Sequence, residues 1–259
     1  MFFIFVYIKY IYTLFMVMKK TTIVFSINVH ENLNFLIKQI KDIEDNVLLD
    51  YVIIINANQY MFNAIVNSTL LYVKANIELY PVYLDKIHAH GSLTKGIYLN
   101  MMHAIKNYQF EYFVILSSRN LFYNKLHQGN YKNMLKICEG VSYSKLNKEV
   151  WAWPMFLKTK LSQYVINNNL LFSTTSVHHE GLTFDYESAV KIVEFFESHE
   201  DIRDEIFNFQ GSVEEFALQC ISLNLSGHYY NIGNWTSNDD SLNIHNLPSN
   251  RFVYKAYRR

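Results

Sequence analysis

Up to Asn120, apolar and polar positions fall into blocks that predict alternating strands and helices. Thr21 to Asn28 (TTIVFSIN) is rich in β-branched residues and predicts a strand ending in the polar loop Val29-His30-Glu31-Asn32. Leu33, Leu36, Ile37 and Ile40 then recur at helical spacing. Tyr51 to Ile55 (YVIII) is an unbroken apolar run, the pattern of a parallel strand covered on both faces, and it stops at Asn56-Ala57-Asn58. A helix over 61–74, a short strand over 77–82, a helix over 93–106 and a strand over 111–116 follow. Strands alternating with helices predict an α/β fold with a mostly parallel central sheet flanked by helices. The last of these strands ends at Ser117-Ser118-Arg119-Asn120. In open α/β sheets that carboxyl edge is where ligands bind.

Beyond Asn120 the rhythm changes and an irregular C-terminal half is expected. Tyr131 to Glu139 reads as helical, and WAWPMFL with Gln163 to Leu171 supplies mixed elements. Asp185 can cap a helix whose Ala189, Ile192, Val193 and Phe196 share a face. Another helix begins at Ser212, and the last thirty or so residues read as short strands and loops closing over the sheet.

Composition narrows the classes. The chain has 259 residues, half of them hydrophobic and 16% aromatic, enough for a substantial core. Its 23 basic residues balance 23 acidic ones, which argues against an extended nucleic-acid surface. Cys138 and Cys220, the only cysteines, both read as buried free thiols in helical contexts, the usage of a reducing compartment. No Cys/His pattern has zinc spacing. Residues 1–18 (MFFIFVYIKYIYTLFMVM) are apolar apart from Lys9 and Thr13. They admit three readings: a dispensable extension, a marginal membrane anchor, or a helix packed on the domain. A span needs about 20 apolar residues, and Lys9 within it costs about 3 kcal/mol. Lys19 and Lys20 would keep the remainder cytoplasmic under the positive-inside rule. Residues 19–259 read as one domain.

Several side chains can carry chemistry. Glu214 and Glu215 stand together near a predicted helix start, where the dipole keeps a carboxylate ionised and able to act as a base. Ser212 and Glu215 also fit a capping box, which would employ Glu215 structurally and leave Glu214 spare. Arg251, Lys255, Arg258 and Arg259 form the densest cationic cluster, either a solvated tail or a clamp on a diphosphate. His88 and His90 read as loop histidines. Within His178-His179-Glu180-Gly181, His179 and Glu180 are candidates for touching substrate. Trp151 and Trp153 can stack on sugar rings or fill the core.

Taken in order, TIVFSINVHENLNFLIKQI, YVIIINAN, HAHGSLTKGIYLNMMHAI, YFVILSSRNLFY and SVEEFALQCI resemble successive segments of the core-2/I-branching β-1,6-N-acetylglucosaminyltransferase family and its xylosyltransferase relatives. The resemblance runs from about Thr21 to Lys255. His30-Glu31 matches the family's His-acid turn, His90 stands where a Trp is usual, and Asn120 stands where the family carries Asp. It implies a GT-A-type, metal-independent inverting glycosyltransferase that moves a sugar from a UDP-sugar to a glycan hydroxyl. Many nucleotide-sugar enzymes carry a metal-binding Asp-x-Asp at the strand end where this chain has no acid. On that resemblance Glu215 falls on the catalytic base, with Glu214 beside it. Read as a glycosyltransferase, the chain would offer His30, Glu31, Ser118, Arg119, Asn120, Arg251 and Lys255 to the donor, and Trp153, His179 and Glu180 to the acceptor. A binding domain of the same fold without catalysis, and an interaction protein anchored through residues 1–18, are the other classes open to the sequence.

Overall fold

Each apolar block of the first half becomes an element of one sheet or of the helices on its two faces. The computed structural model describes residues 18–29, 32–70, 76–87, 90–117, 120–122, 124–138, 140–142, 153–173, 180–234 and 253–255. The chain opens with β1 (Lys19–Val29), α1 (Leu33–Asn46), β2 (Val47–Leu48), β3 (Tyr51–Ala57), α2 (Gln59–Val66), β4 (Ile77–Leu79), α3 (Ser92–Asn107) and β5 (Tyr108–Ser117). Asn32 caps α1 by accepting from the backbone N–H groups of Asn34 and Phe35, and Asn58 caps α2 by accepting from Met61. The polar punctuation after each apolar run therefore starts the helix that follows.

The second half adds β6 (Asn120–Phe122), β7 (Leu126–His127), β8 (Lys136–Cys138) and β9 (Gly140–Ser142). Helix α4 (Lys160–Asn167), β10 (Leu171–Ser173), β11 (Leu182–Asp185), α5 (Tyr186–Ser198), α6 (Glu200–Asn208) and α7 (Ala217–Ser226) follow. The described chain closes with β12 (Tyr229–Asn231), β13 (Gly233–Asn234) and β14 (Val253–Lys255). As expected, Asp185 caps α5 by accepting from the Ser188 N–H, and Ala189, Ile192 and Phe196 are buried. The expected helix over 131–139 is corrected at 131–138, where a single helical turn over Tyr131–Met134 gives way to β8, and residue 139 lies outside the described residues. Pairing of Tyr229–Asn231 with Lys136–Cys138 claims those residues for the sheet, tertiary pairing overriding local propensity. Cys138 is buried as foreseen, in a strand and not a helix; Cys220 is buried in α7, and both are free thiols.

The seven-stranded sheet has the order β4-β3-β1-β5-β11-β12-β8. Its first four strands pair in parallel, while β11 opposes β5 and β12, opposing β11, returns to the common direction. Strand periodicity sends Ile23, Phe25 and Ile27 to one face, where Leu36, Ile40 and Ile43 of α1 and Met61 and Ile65 of α2 cover them. Val24, Val52 and Ile54 point to the other face, against α3, α5, α6 and α7. Each fully buried aliphatic or aromatic side chain contributes about 1.5–3 kcal/mol, so the two cores fix the sheet between its helical layers. On β1 and β3 the second face turns polar toward the carboxyl end, at Ser26, Asn28 and Asn56.

Candidate functional site

Among the parallel strands, chain order and strand order diverge between β1 and β5. From β1 the chain winds outward through β3 and β4, then returns by α3 to lay β5 on the opposite side of β1. The crevice outside the carboxyl ends of β1 and β5, at Val29 and Ser117, is thus a topological switch point, the position where open α/β sheets bind ligands.

The turn after β5 is held from three sides. Asn120 Oδ1 accepts from the Ser117 N–H at 2.6 Å. Gln39 of α1, fully buried, donates through Nε2 to the carbonyls of Ser117 and Asn120 at 2.7 and 2.8 Å. Asp42, one turn further along α1, accepts from the Phe122 N–H at 2.5 Å; burial raises its pKa, and that backbone bond works against the rise. β14 lies antiparallel to β6 with Lys255 opposite Asn120, so the C-terminal strand carrying the predicted cation borders the predicted strand end. Because β11 runs opposite to β5, its entry also lies at this edge. Buried Glu180 precedes Gly181, whose N–H donates to Ile115 O at 2.8 Å and whose φ of 82° favours glycine.

The acidic pair reaches the same edge by docking on the entrance to α3. The Gly91 N–H donates to Phe209 O at 2.9 Å, and His90 bridges to Gln210. Contact is so close that a Cβ on Gly91 would fall 1.8 Å from Ile206 O. His90 Nδ1 accepts from the Ser92 N–H at 2.9 Å, an N-terminal role for a histidine read as an ordinary loop residue. Glu214 is buried and Glu215 half-buried within a 3-10 turn at Val213–Glu215, and α7 starts only at Ala217. The expected capping box is corrected, since the Ser212 side chain makes no capping bond there. The one-turn helix Trp153–Phe156 packs on this turn through an edge-to-face contact of Phe156 with Phe216 at 5.6 Å. Trp153 is thereby carried on the element beside Glu214 and Glu215.

One part-buried cation escapes sequence reasoning. Lys86, in the segment between β4 and α3, donates through Nζ to Asn56 Oδ1 at the end of β3 and lies 3.4 Å from Leu84 O. Burial of its ammonium lowers the pKa to about 7, with Asp85 pulling the other way. Asn56 stands in register with Asn28 on β1. Asn28 Nδ2 donates to Leu93 O at 2.9 Å, and Asn100 of α3 donates to Ser26 Oγ and Ile54 O. Gly96 lets α3 approach these amides; a Cβ there would fall 2.4 Å from Asn28 Oδ1. The one legible signal is that both strands end in Asn, in SIN and INAN.

Of the sequence-predicted residues, Asn120, Glu180, Glu214 and Glu215 gather at the carboxyl edge, and the backbones of Lys255 and Trp153 belong to elements adjoining it. His30, Glu31, Ser118, Arg119, His179 and Arg251 lie outside the described residues, as do residues 1–17. No helix among the described residues is long and apolar enough to cross a membrane. Among them, no three His, Cys, Asp or Glu side chains cluster as a metal site. No protein-family model matches the chain, and no curated protein matches it.

Proposed function

We propose that this chain is a GT-A-type inverting glycosyltransferase that transfers a sugar from a UDP-sugar to a glycan hydroxyl without a metal. One observation carries the reading: the acidic Val213–Glu215 turn docks beside the entrance of α3, at the carboxyl edge where the parallel strands switch. Glu215 is the base in this reading. Its carboxylate takes the proton of the acceptor hydroxyl as that oxygen attacks the anomeric carbon. The bond from that carbon to the diphosphate oxygen breaks, and UDP leaves with the electron pair. Lys255 and Arg251 stabilise the departing charge, with Ser118, Arg119 and Asn120 lining the donor side. Trp153, His179 and Glu180 serve the acceptor. The buried free thiols of Cys138 and Cys220 support a cytoplasmic setting.

The test is hydrolysis and transfer from a panel of UDP-sugars with EDTA present. Turnover is expected to persist in EDTA. Glu215→Gln should lower kcat by at least about 100-fold, the usual contribution of a positioned base. Turnover that needs an added divalent cation, or full activity in Glu215→Gln, would remove the assignment.

A further inference from the structure

A lysine drawn into the fold is costly unless an opposite charge offsets it. Among the described residues no carboxylate forms an ion pair with Lys86, and Asp85 offsets its burial only in part. The group its ammonium meets is the Asn56 amide oxygen, and the acid acting on it is its exposed neighbour Asp85. The Asn56 amide that Lys86 meets is itself flanked by uncharged groups, Asn28 in register on β1 and Gly96 of α3. The same Asn56 amide keeps its Nδ2, a fully buried donor, without a partner. Asn28 Oδ1, the neighbouring acceptor, is turned onto Gly96. Lysine ammonium and amide N–H therefore stand together as two donors, at the carboxyl ends of two parallel strands. Lys86 is itself only part-buried, which leaves it reachable from solvent.

We propose that Lys86, with Asn56, forms an anion site at the carboxyl ends of β1 and β3 that takes a phosphate or diphosphate group. The site uses none of the residues that the sequence assigned to the donor side. Only the identity of its occupant as the donor's diphosphate rests on the glycosyltransferase reading. An arriving anion removes the penalty on the charged amine, so binding and protonation of Lys86 are linked. At pH 8 an amine titrating near 7 is mostly neutral, and ligand binding draws in a proton.

Isothermal titration with inorganic pyrophosphate and with UDP, at pH 8 in two buffers of different ionisation enthalpy, tests this. Wild type is expected to bind at least one of them, with uptake approaching one proton more than Lys86→Arg, whose side chain stays charged throughout. Lys86→Met should bind at least about 10-fold more weakly and lose that proton, while Lys86→Arg should keep the affinity. Should Lys86→Met fail to fold, the proton difference between wild type and Lys86→Arg still decides. The proposal falls if wild type binds neither ligand, if Lys86→Met binds as tightly, or if wild type and Lys86→Arg exchange the same number of protons. Pyrophosphate binding through Lys86 without turnover of any UDP-sugar would uphold this site and remove the enzyme reading. Full transfer activity with unchanged affinity in Lys86→Met would do the reverse.

Discussion

Lys86→Met should stabilise the fold in mild acid and destabilise it in base. An unfolded lysine keeps its proton to about pH 10.5, whereas the folded Lys86 releases it near 7. Below pH 7 both states are charged and the full burial penalty applies. Between 7 and 10.5 the unfolded chain binds more protons, so wild-type stability climbs with pH. At 1.36 kcal/mol per pH unit that penalty is at most about 5 kcal/mol, and the part-exposure of Lys86 reduces it to about 3. Methionine carries no charge and escapes the penalty, but it strands the Asn56 oxygen at a cost of about 1 kcal/mol. The variant should thus be about 2 kcal/mol more stable at pH 6. Near pH 10 a neutral amine still serves Asn56, and the variant should be the weaker by up to about 1 kcal/mol. Urea unfolding of both proteins at pH 6, 8 and 10 reads the difference directly. A gap that stays constant across that range would show that Lys86 keeps the same proton in the folded and unfolded chain.

Two further substitutions probe the scaffold. Glu78 is held at about 2, chiefly by its hydrogen bond from His103 at 2.8 Å, opposed by burial and helped by the Tyr108 hydroxyl and Lys19. This lowered carboxylate adds stability that is complete above about pH 4.5 and disappears as pH falls through 2. Glu78→Gln should cost about 2 kcal/mol at pH 7, discounted for the quarter of the side chain left exposed, and nothing near pH 2 in denaturant melts. Gly91→Ala would drive a methyl into Ile206 O and should cost about 3 kcal/mol or more, seen as a lower thermal midpoint. A midpoint within a degree of wild type would show that the α3 entrance is not clamped.

The parallel half was legible because both faces of its strands are covered, leaving unbroken runs such as YVIII, and because Asn32 and Asn58 mark helix starts locally. Where pairing between distant segments decides, the sequence misleads. KIC at 136–138 looks helical beside Tyr131–Met134 until Tyr229–Asn231 pairs with it. Ser212 looks like a cap until the docking of Phe209 and Gln210 on His90-Gly91 sets a 3-10 turn there. The acidic pair could be singled out because two adjacent carboxylates are conspicuous, and Asn120 because it ends an apolar run. Lys86 gave no such notice, since its burial depends on an Asn thirty residues earlier and on a glycine in the next helix.

The pairing of β1 with β5 also bears on how the chain is made. The β1 residues that pair with β5 align with partners 89 positions later, Lys19 with Tyr108 and Asn28 with Ser117, whereas their β3 partners are only 28 positions away, as Ile23 with Tyr51. A nascent chain can assemble β1, β3 and β4 early, but one flank of β1 keeps its backbone groups open until residues near 117 have left the ribosome. During that interval IVFSINV is an unprotected apolar edge, available to pair with another chain. Closure of β5 both seals that edge and completes the crevice, so a truncated product ending before Ser117 would be prone to aggregation.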